Sequence, residues 1–418
     1  MKLGGSKSLY DFLFVYVAYT LRYVYLLILI PYYGRVLGTD GYGIVLSAMS
    51  IMNLAWIITG WGFSAAGVRA IAVAKESEYG MLFAQHFSAR VLLSLVAVVV
   101  ALVSICFSPI LSGNLLTSAF ALALGVLSAF NLGWYLTGSN RSRSAVKLEV
   151  LGFILSLGLI LLLVKTPQDA HLALLSLLLS SIAVTAVAHG SIFSELPRKN
   201  LFQPAQGLEL IRSSGYLFLY ASSAMFISAA STYILGLAST PALVGAYGAA
   251  DRLVSLGLGV MAPIGVIFIP KVTAQFAKNP LAAYRLTRKI FLLLLGISLT
   301  GALLCLTSSP FIIRLIFGHS FDSAIPLLTA FAPVFPINAL IIGFSAYVFI
   351  PNHSEKPLAY AVFTGVAINI AVAIYASRAW GGVGVIHARL LGDSITLLLL
   401  VLTAWRKGFL LNLIPVKK

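Results

Sequence analysis

The chain has 418 residues, of which 60% are hydrophobic and only 10% charged, with a mean hydropathy of +0.99 and a net charge of +16. This composition excludes a soluble globule with a polar surface and indicates an all-α polytopic membrane protein. The basic excess does not call for a nucleic acid, because most of it falls where membrane topology puts positive charge.

A hydrocarbon core of about 30 Å needs about 20 apolar residues per helix. Twelve windows of that size can be drawn, near residues 10–32, 42–64, 84–107, 115–138, 148–165, 171–193, 213–236, 242–269, 289–308, 326–350, 358–377 and 383–405. The segment from Met1 to Lys7 and the apolar run after it resemble a signal sequence. No small-residue cleavage site follows before Arg22, so the run is expected to stay as the first helix. Cys106 and Cys305 lie late in the third and ninth windows and suggest neither a disulfide framework nor a metal site.

With both termini in the cytoplasm, twenty Lys and Arg residues fall inside and four (Arg35, Lys165, Arg314 and Arg378) outside, the other four lying within the windows. Such an imbalance is the positive-inside signature and supports an even number of crossings. The mid-chain segment from Glu195 to Glu209, with two prolines and mixed charge, divides the chain almost equally. The expected organisation is a six-helix bundle over 1–194, a cytoplasmic linker at 195–211, a second six-helix bundle over 212–405 and a basic cytoplasmic tail at 406–418. Offsetting the sequence by 202 aligns Gly43 with Gly245, Ala48 with Ala250, Leu54 with Leu256 and Arg69 with Lys271, which favours an internal duplication. Six helices per half preserve orientation, so the halves would be parallel repeats around a central cavity.

Four arginines inside the windows are the candidates for function. A guanidinium at a helix centre costs about 2.5–3.5 kcal/mol on insertion scales and keeps its charge, so it should face protein or water and meet an anion. Arg22 lies roughly 18 Å into the first helix, too deep to snorkel easily. Asp11 and Tyr19 share its face, and Tyr16, Tyr19 and Tyr23 could line a wet surface. Arg252 lies at similar depth in the eighth window, directly after Asp251. Adjacent residues point about 100° apart, so Arg252 can face an anion while Asp251 tunes it or accepts a coupling ion. Asp11 is a second ion-coupling candidate. Arg90, with His86 one turn before it, is nearer the cytoplasmic end of the third window and could snorkel or join the site. Arg389 and Asp393 are spaced for an intrahelical ion pair, read as mainly structural, with His387 and Arg389 as further candidate cavity liners. The alternative for each cation is a structural role against neighbouring helices.

There is no phosphate-binding glycine loop, no clustered His/Cys spacing, no H-E-x-x-H and no G-x-S-x-G. No nucleotide-driven step, metal centre, cofactor or catalytic domain is expected.

Several stretches resemble the Wzx-type O-antigen and polysaccharide-repeat flippases of the multidrug/oligosaccharidyl-lipid/polysaccharide exporter superfamily. They are Pro31-Tyr-Tyr-Gly-Arg35-Val-Leu-Gly38 leading to Tyr42-Gly43, Gly62-Phe63 running into Arg69-Ala-Ile-Ala72, Val244-Gly245-Ala-Tyr-Gly-Ala-Ala-Asp-Arg252, Ile269-Pro270-Lys271 and Gly318-His-Ser-Phe-Asp322. The resemblance implies a twelve-helix, two-bundle exporter working by alternating access in a bacterial inner membrane. The implied substrate is an undecaprenyl-pyrophosphate-linked oligosaccharide, with a polysaccharide polymerase and a chain-length regulator as further partners. It also implies that Arg22 and Arg252 stand where related lipid flippases carry cavity arginines. A cation-coupled multidrug exporter of the same superfamily is one alternative, disfavoured by the cationic windows. A membrane polysaccharide polymerase or ligase is another, disfavoured by short external loops.

Overall fold

The computed structural model describes residues 6–193 and 200–410, with side chains described outside 6–20, 23, 65, 216–227 and 266. All regular structure among the described residues is helical. In the first half α1 covers Ser6–Gly60, α2 Phe63–Val73, α3 Tyr79–Phe107, α4 Pro109–Ser112, α5 Leu115–Leu127, α6 Gly133–Gly138, α7 Ser142–Leu163 and α8 Ala170–Ile192. In the second, α9 covers Pro204–Ala238, α10 Pro241–Gly259, α11 Ala262–Lys278, α12 Pro280–Thr307, α13 Ser309–Ile316, α14 Ile325–Ala330, α15 Val334–Phe344 and α16 Glu355–Arg406.

Among the described residues seven helical segments are long and apolar enough to cross a membrane, or nine if each of two bent pairs counts as one span. The bent pairs run over Pro241–Gly265 with Ile267–Lys278 and over His319–Ala330 with Val334–Phe349. The chain is therefore a multi-pass, all-α membrane protein. Its helices expose apolar faces that water would not tolerate, as with Leu95, Val99, Leu102 and Val103 on α3 or Leu292, Leu299, Leu303 and Leu306 on α12.

Local chemistry sets where several helices begin. Asn279 accepts a bond from the Ala282 amide at 3.1 Å with Pro280 in the first turn, and Ser108 accepts from the Leu111 amide ahead of Pro109. A capping oxygen followed by proline satisfies one orphan donor and removes another.

Two helices, α1 and α16, are more than twice as long as the roughly 20 residues a single crossing needs. At 1.5 Å per residue the 55 residues of α1 would run about 80 Å if straight. α1 breaks at Gly38, with φ 64° and ψ −174°, and α16 breaks at Gly381, with φ 56° and ψ −135°. Both lie in the positive-φ region that a side chain disfavours. Beyond Gly381 the second limb of α16 returns along the first. A Cβ on Gly365 would strike the Thr396 hydroxyl and, at 2.6 Å, the Gly392 carbonyl oxygen. Backbones that close need small residues at the crossing.

The chain divides into two compact units, Met1–Ala229 and Ala230–Lys418. In the first, Ile71, Phe83, Trp134, Tyr135, Leu136 and Ile192 form a buried cluster joining α2, α3, α6 and α8. The first turns of α9 are held to this unit. The Gln203 amide donates to Ser88 Oγ at 2.7 Å, and Trp61 Nε1 donates to the Ile211 carbonyl at 2.9 Å. In the second, Met261, Val272, Ile290, Leu294, Ala339 and Tyr347 pack α11, α12 and α15 around one core.

Candidate functional site

Among the described residues two buried clusters are centred on an arginine, one in each unit. In the second unit, α10 presents Asp251 one turn after Tyr247, and the returning limb of α16 presents Arg389 and Asp393 one turn apart. Asp251 is 6% exposed. Arg389 Nη1 donates to Asp251 Oδ1 at 2.8 Å, while its Nε lies 3.7 Å from Asp393 Oδ2. Asn338 on α15 donates from Nδ2 to the same Asp393 oxygen at 2.8 Å. The Phe331 ring lies 5.7 Å from the guanidinium carbon and 5.7 Å from the Tyr247 ring. One cation thus serves two carboxylates from two helices, and a neutral amide supports the more distant one.

The expected pair at i, i+4 between Arg389 and Asp393 is present, and it is the longer of the two contacts. The shorter one joins residues 138 positions apart. Asp251 therefore turns to Arg389, as the 100° step away from Arg252 allows. Arg252 is half-buried on α10, and His387 is exposed on α16. Asn338 is not among the sequence candidates. The available signal is an amide inside an otherwise apolar window, which needs a partner.

In the first unit, α3 carries His86 and Arg90 on one face, and α6 brings Trp134 over them. The three are 2%, 5% and 5% exposed. The guanidinium carbon of Arg90 stands 4.9 Å from the centre of the Trp134 ring, and the His86 and Trp134 ring centroids are 4.5 Å apart. Phe63 meets His86 edge-on at 5.6 Å. No carboxylate forms an ion pair with Arg90 among the described residues. Arg90 Nε, His86 Nδ1 and Trp134 Nε1 are all buried without a hydrogen-bond partner. Arg90 is thus buried, with the Trp134 ring of α6 against its guanidinium. Trp134 is not marked by the sequence, since one tryptophan in a membrane chain is usually an interfacial anchor.

Arg22, on α1 in the first unit, is exposed beside Leu21 and Val24 and has no ion-pair partner among the described residues. The side chains of Asp11, Tyr19 and Tyr23 lie outside the described residues. The structure therefore brings Asp251, Arg389 and Asp393 together, and it sets Arg90 in a separate cluster with His86. Among the described residues no group of three His, Cys, Asp or Glu side chains could hold a metal ion, and Cys106 and Cys305 are free thiols.

Residues 8–276 match the model of a family described as polysaccharide biosynthesis protein. The chain is 21% identical over 386 residues to a putative O-antigen transporter of Shigella dysenteriae, covering 89% of this chain and 94% of that protein. It is 22% identical over 327 residues to a putative O-antigen transporter of Escherichia coli (strain K12), covering 75% of this chain and 76% of that one. Its fold is similar to that of the lipid II flippase MurJ in an inward closed conformation, with TM-score 0.74 and 15% identity over 96% of this chain and 90% of that chain. It is also similar to an inward-facing multidrug resistance MATE family transporter of the MOP superfamily, with TM-score 0.69 and 16% identity over 92% and 94%.

Proposed function

The chain belongs to the polysaccharide biosynthesis protein family, and from that membership we propose that it is a flippase for lipid-linked oligosaccharides. It moves undecaprenyl-pyrophosphate-linked repeat units from the cytoplasmic to the periplasmic leaflet by alternating access, for O-antigen or another surface polysaccharide. It acts as a transporter and not as an enzyme. The observation that carries the reading is that the charged groups inside its apolar helices are mainly guanidiniums. Arg22, Arg90, Arg252 and Arg389 stand against Asp251, Asp393 and, at the edge of the fifth window, Glu149 among the described side chains. A low-dielectric interior rich in guanidinium suits a diphosphate, which takes bidentate, charge-assisted hydrogen bonds.

In this reading Arg22 and Arg252 hold the diphosphate, with Tyr19, Tyr23 and Arg389 lining the path. Asp251 and Asp11 are the groups through which an ion could couple. The lipid tail stays in the bilayer while the sugar crosses in the polar interior. Twelve crossings in two six-helix bundles follow if the 35-residue α9 is added to the nine apolar spans and if α1 and α16 each cross twice about their glycine breaks. The bundles are 1–194 and 212–405, with the linker at 195–211, the tail at 406–418 and both termini cytoplasmic. The short arms of the cytoplasmic connections then carry most of the positive charge.

Replacing Arg22 or Arg252 by alanine is expected to abolish surface polysaccharide in a host lacking the native gene, with the protein still abundant in the membrane. Lipid-linked repeat units should accumulate on the cytoplasmic side. Normal polysaccharide in both variants would sink the reading. A multidrug exporter would instead expel cationic dyes, which a positive interior repels. Dye efflux by the wild-type protein, lost in the same variants, would favour that alternative.

A further inference from the structure

We propose that the first unit carries a docking site for a lipid-borne phosphate or diphosphate, with Arg90, His86 and Trp134 around the anion and a groove between α3 and α5 around the hydrocarbon tail. The choice of a lipid-borne anion rests on the flippase reading. The site itself rests on two observations within the first unit.

The first is the polar cluster. A buried guanidinium without an acid is costly in a low dielectric, and stacking on an indole offsets that cost only in part. The guanidinium carbon stands over the indole ring, and Arg90 Nε is left without a hydrogen-bond partner. Trp134 Nε1 and His86 Nδ1, also unpartnered, belong to rings packed against the same stack. An oxyanion would restore charge balance and take bonds from Arg90 Nε and Trp134 Nε1, and from His86 Nδ1 in the tautomer that carries its proton there; a phosphate has the acceptors to do so.

The second is an apolar groove of about 640 Å³ lined by Val98, Leu102, Leu115, Leu122, Val126 and Phe130 among others, with no charged residue in its wall. It runs along the same helix that carries Arg90. Phe130 at its near end packs on Phe87, with ring centroids 5.6 Å apart, and Phe87 precedes Arg90 by one turn. Phe130 thus links the groove wall to the turn of α3 that carries Arg90. With the amino-terminal end of α3 at the cytoplasmic face, the cluster lies nearer that face than the bilayer centre. A phosphate anchored in the cytoplasmic leaflet can reach it at this depth. The first turn of α9 presses on Ser88 and Ala89 beside the cluster and is the cover whose lifting admits the anion.

Binding is measured on the full chain in phosphatidylcholine nanodiscs, in an Arg22→Ala/Arg252→Ala background so that the proposed cavity does not contribute. The probes are geranylgeranyl diphosphate and inorganic pyrophosphate. Arg90→Gln is expected to weaken both at least tenfold. Trp134→Phe, which keeps an aromatic ring and removes one donor, is expected to weaken both several-fold, and it serves if the Arg90 variant does not fold. Ala119→Trp, on the exposed wall of the groove, should weaken geranylgeranyl diphosphate alone. Wild-type affinity in Arg90→Gln, or in Trp134→Phe if that variant must stand in, overturns the head site. Undiminished geranylgeranyl diphosphate binding in Ala119→Trp overturns the groove and leaves a free phosphate as the ligand. Export retained by Arg22→Ala and Arg252→Ala would remove the flippase mechanism without changing these binding results, so the two failures are distinguishable.

Discussion

Removing Arg389 takes the guanidinium from two buried carboxylates at once, whereas removing either carboxylate leaves it an acidic partner. Taking a single member from a buried ion pair costs about 3–5 kcal/mol. Arg389→Met is therefore expected to destabilise by that order and by more than Asp251→Leu, which keeps the contact with Asp393. Thermal unfolding of the detergent-solubilised variants checks the ranking, and equal losses would contradict it. Asn338→Leu removes a hydrogen bond to a charged acceptor, worth about 1.5–3 kcal/mol. Asp393→Asn combined with Asn338→Leu should cost less than the two single losses added, since they share one bond.

At the scale of elements, the glycine breaks explain how two very long helices fit a thin slab. Gly38→Ala and Gly381→Ala place a side chain at positive φ and are each expected to cost about 1–3 kcal/mol. Gly365→Leu should be at least as damaging, because the Cβ already meets Thr396 and Gly392 where the limbs of α16 touch. Gly296 supplies the control. It lies inside α12, and a methyl group there would have nothing within 4 Å, so Gly296→Ala should be neutral or stabilising by about 0.4–1 kcal/mol. The fraction of monodisperse protein surviving a heating step, read by size-exclusion chromatography, orders the four variants. A control as damaging as Gly38→Ala would undo the argument from backbone conformation.

For the whole molecule, the charge distribution makes a prediction that no single helix makes. Twenty of the 28 Lys and Arg residues fall on the side proposed as cytoplasmic. A fluorescent protein fused after Lys418 should therefore fluoresce, and alkaline phosphatase at the same point should be inactive. The opposite pair of results would put an odd number of crossings in the chain or invert it. Inversion would also move Arg90 away from the cytoplasmic leaflet, which the docking site requires.

The membrane class and the apolar character of most of the long helices were legible in the sequence, because hydropathy is a sum over neighbouring residues. The i, i+4 relation of Arg389 and Asp393 was legible for the same reason, since one helical turn is a local distance. The stronger contact of Arg389 with Asp251 was not, nor was the packing of Trp134 against Arg90 or the support of Asp393 by Asn338. Each joins helices tens of residues or more apart in sequence, and several partners of equal chemistry were open to every one of these groups. Only the packing of particular helices chose among them, because a buried charge is satisfied by whichever group the tertiary structure brings within about 3 Å and not by any property written beside it in the chain.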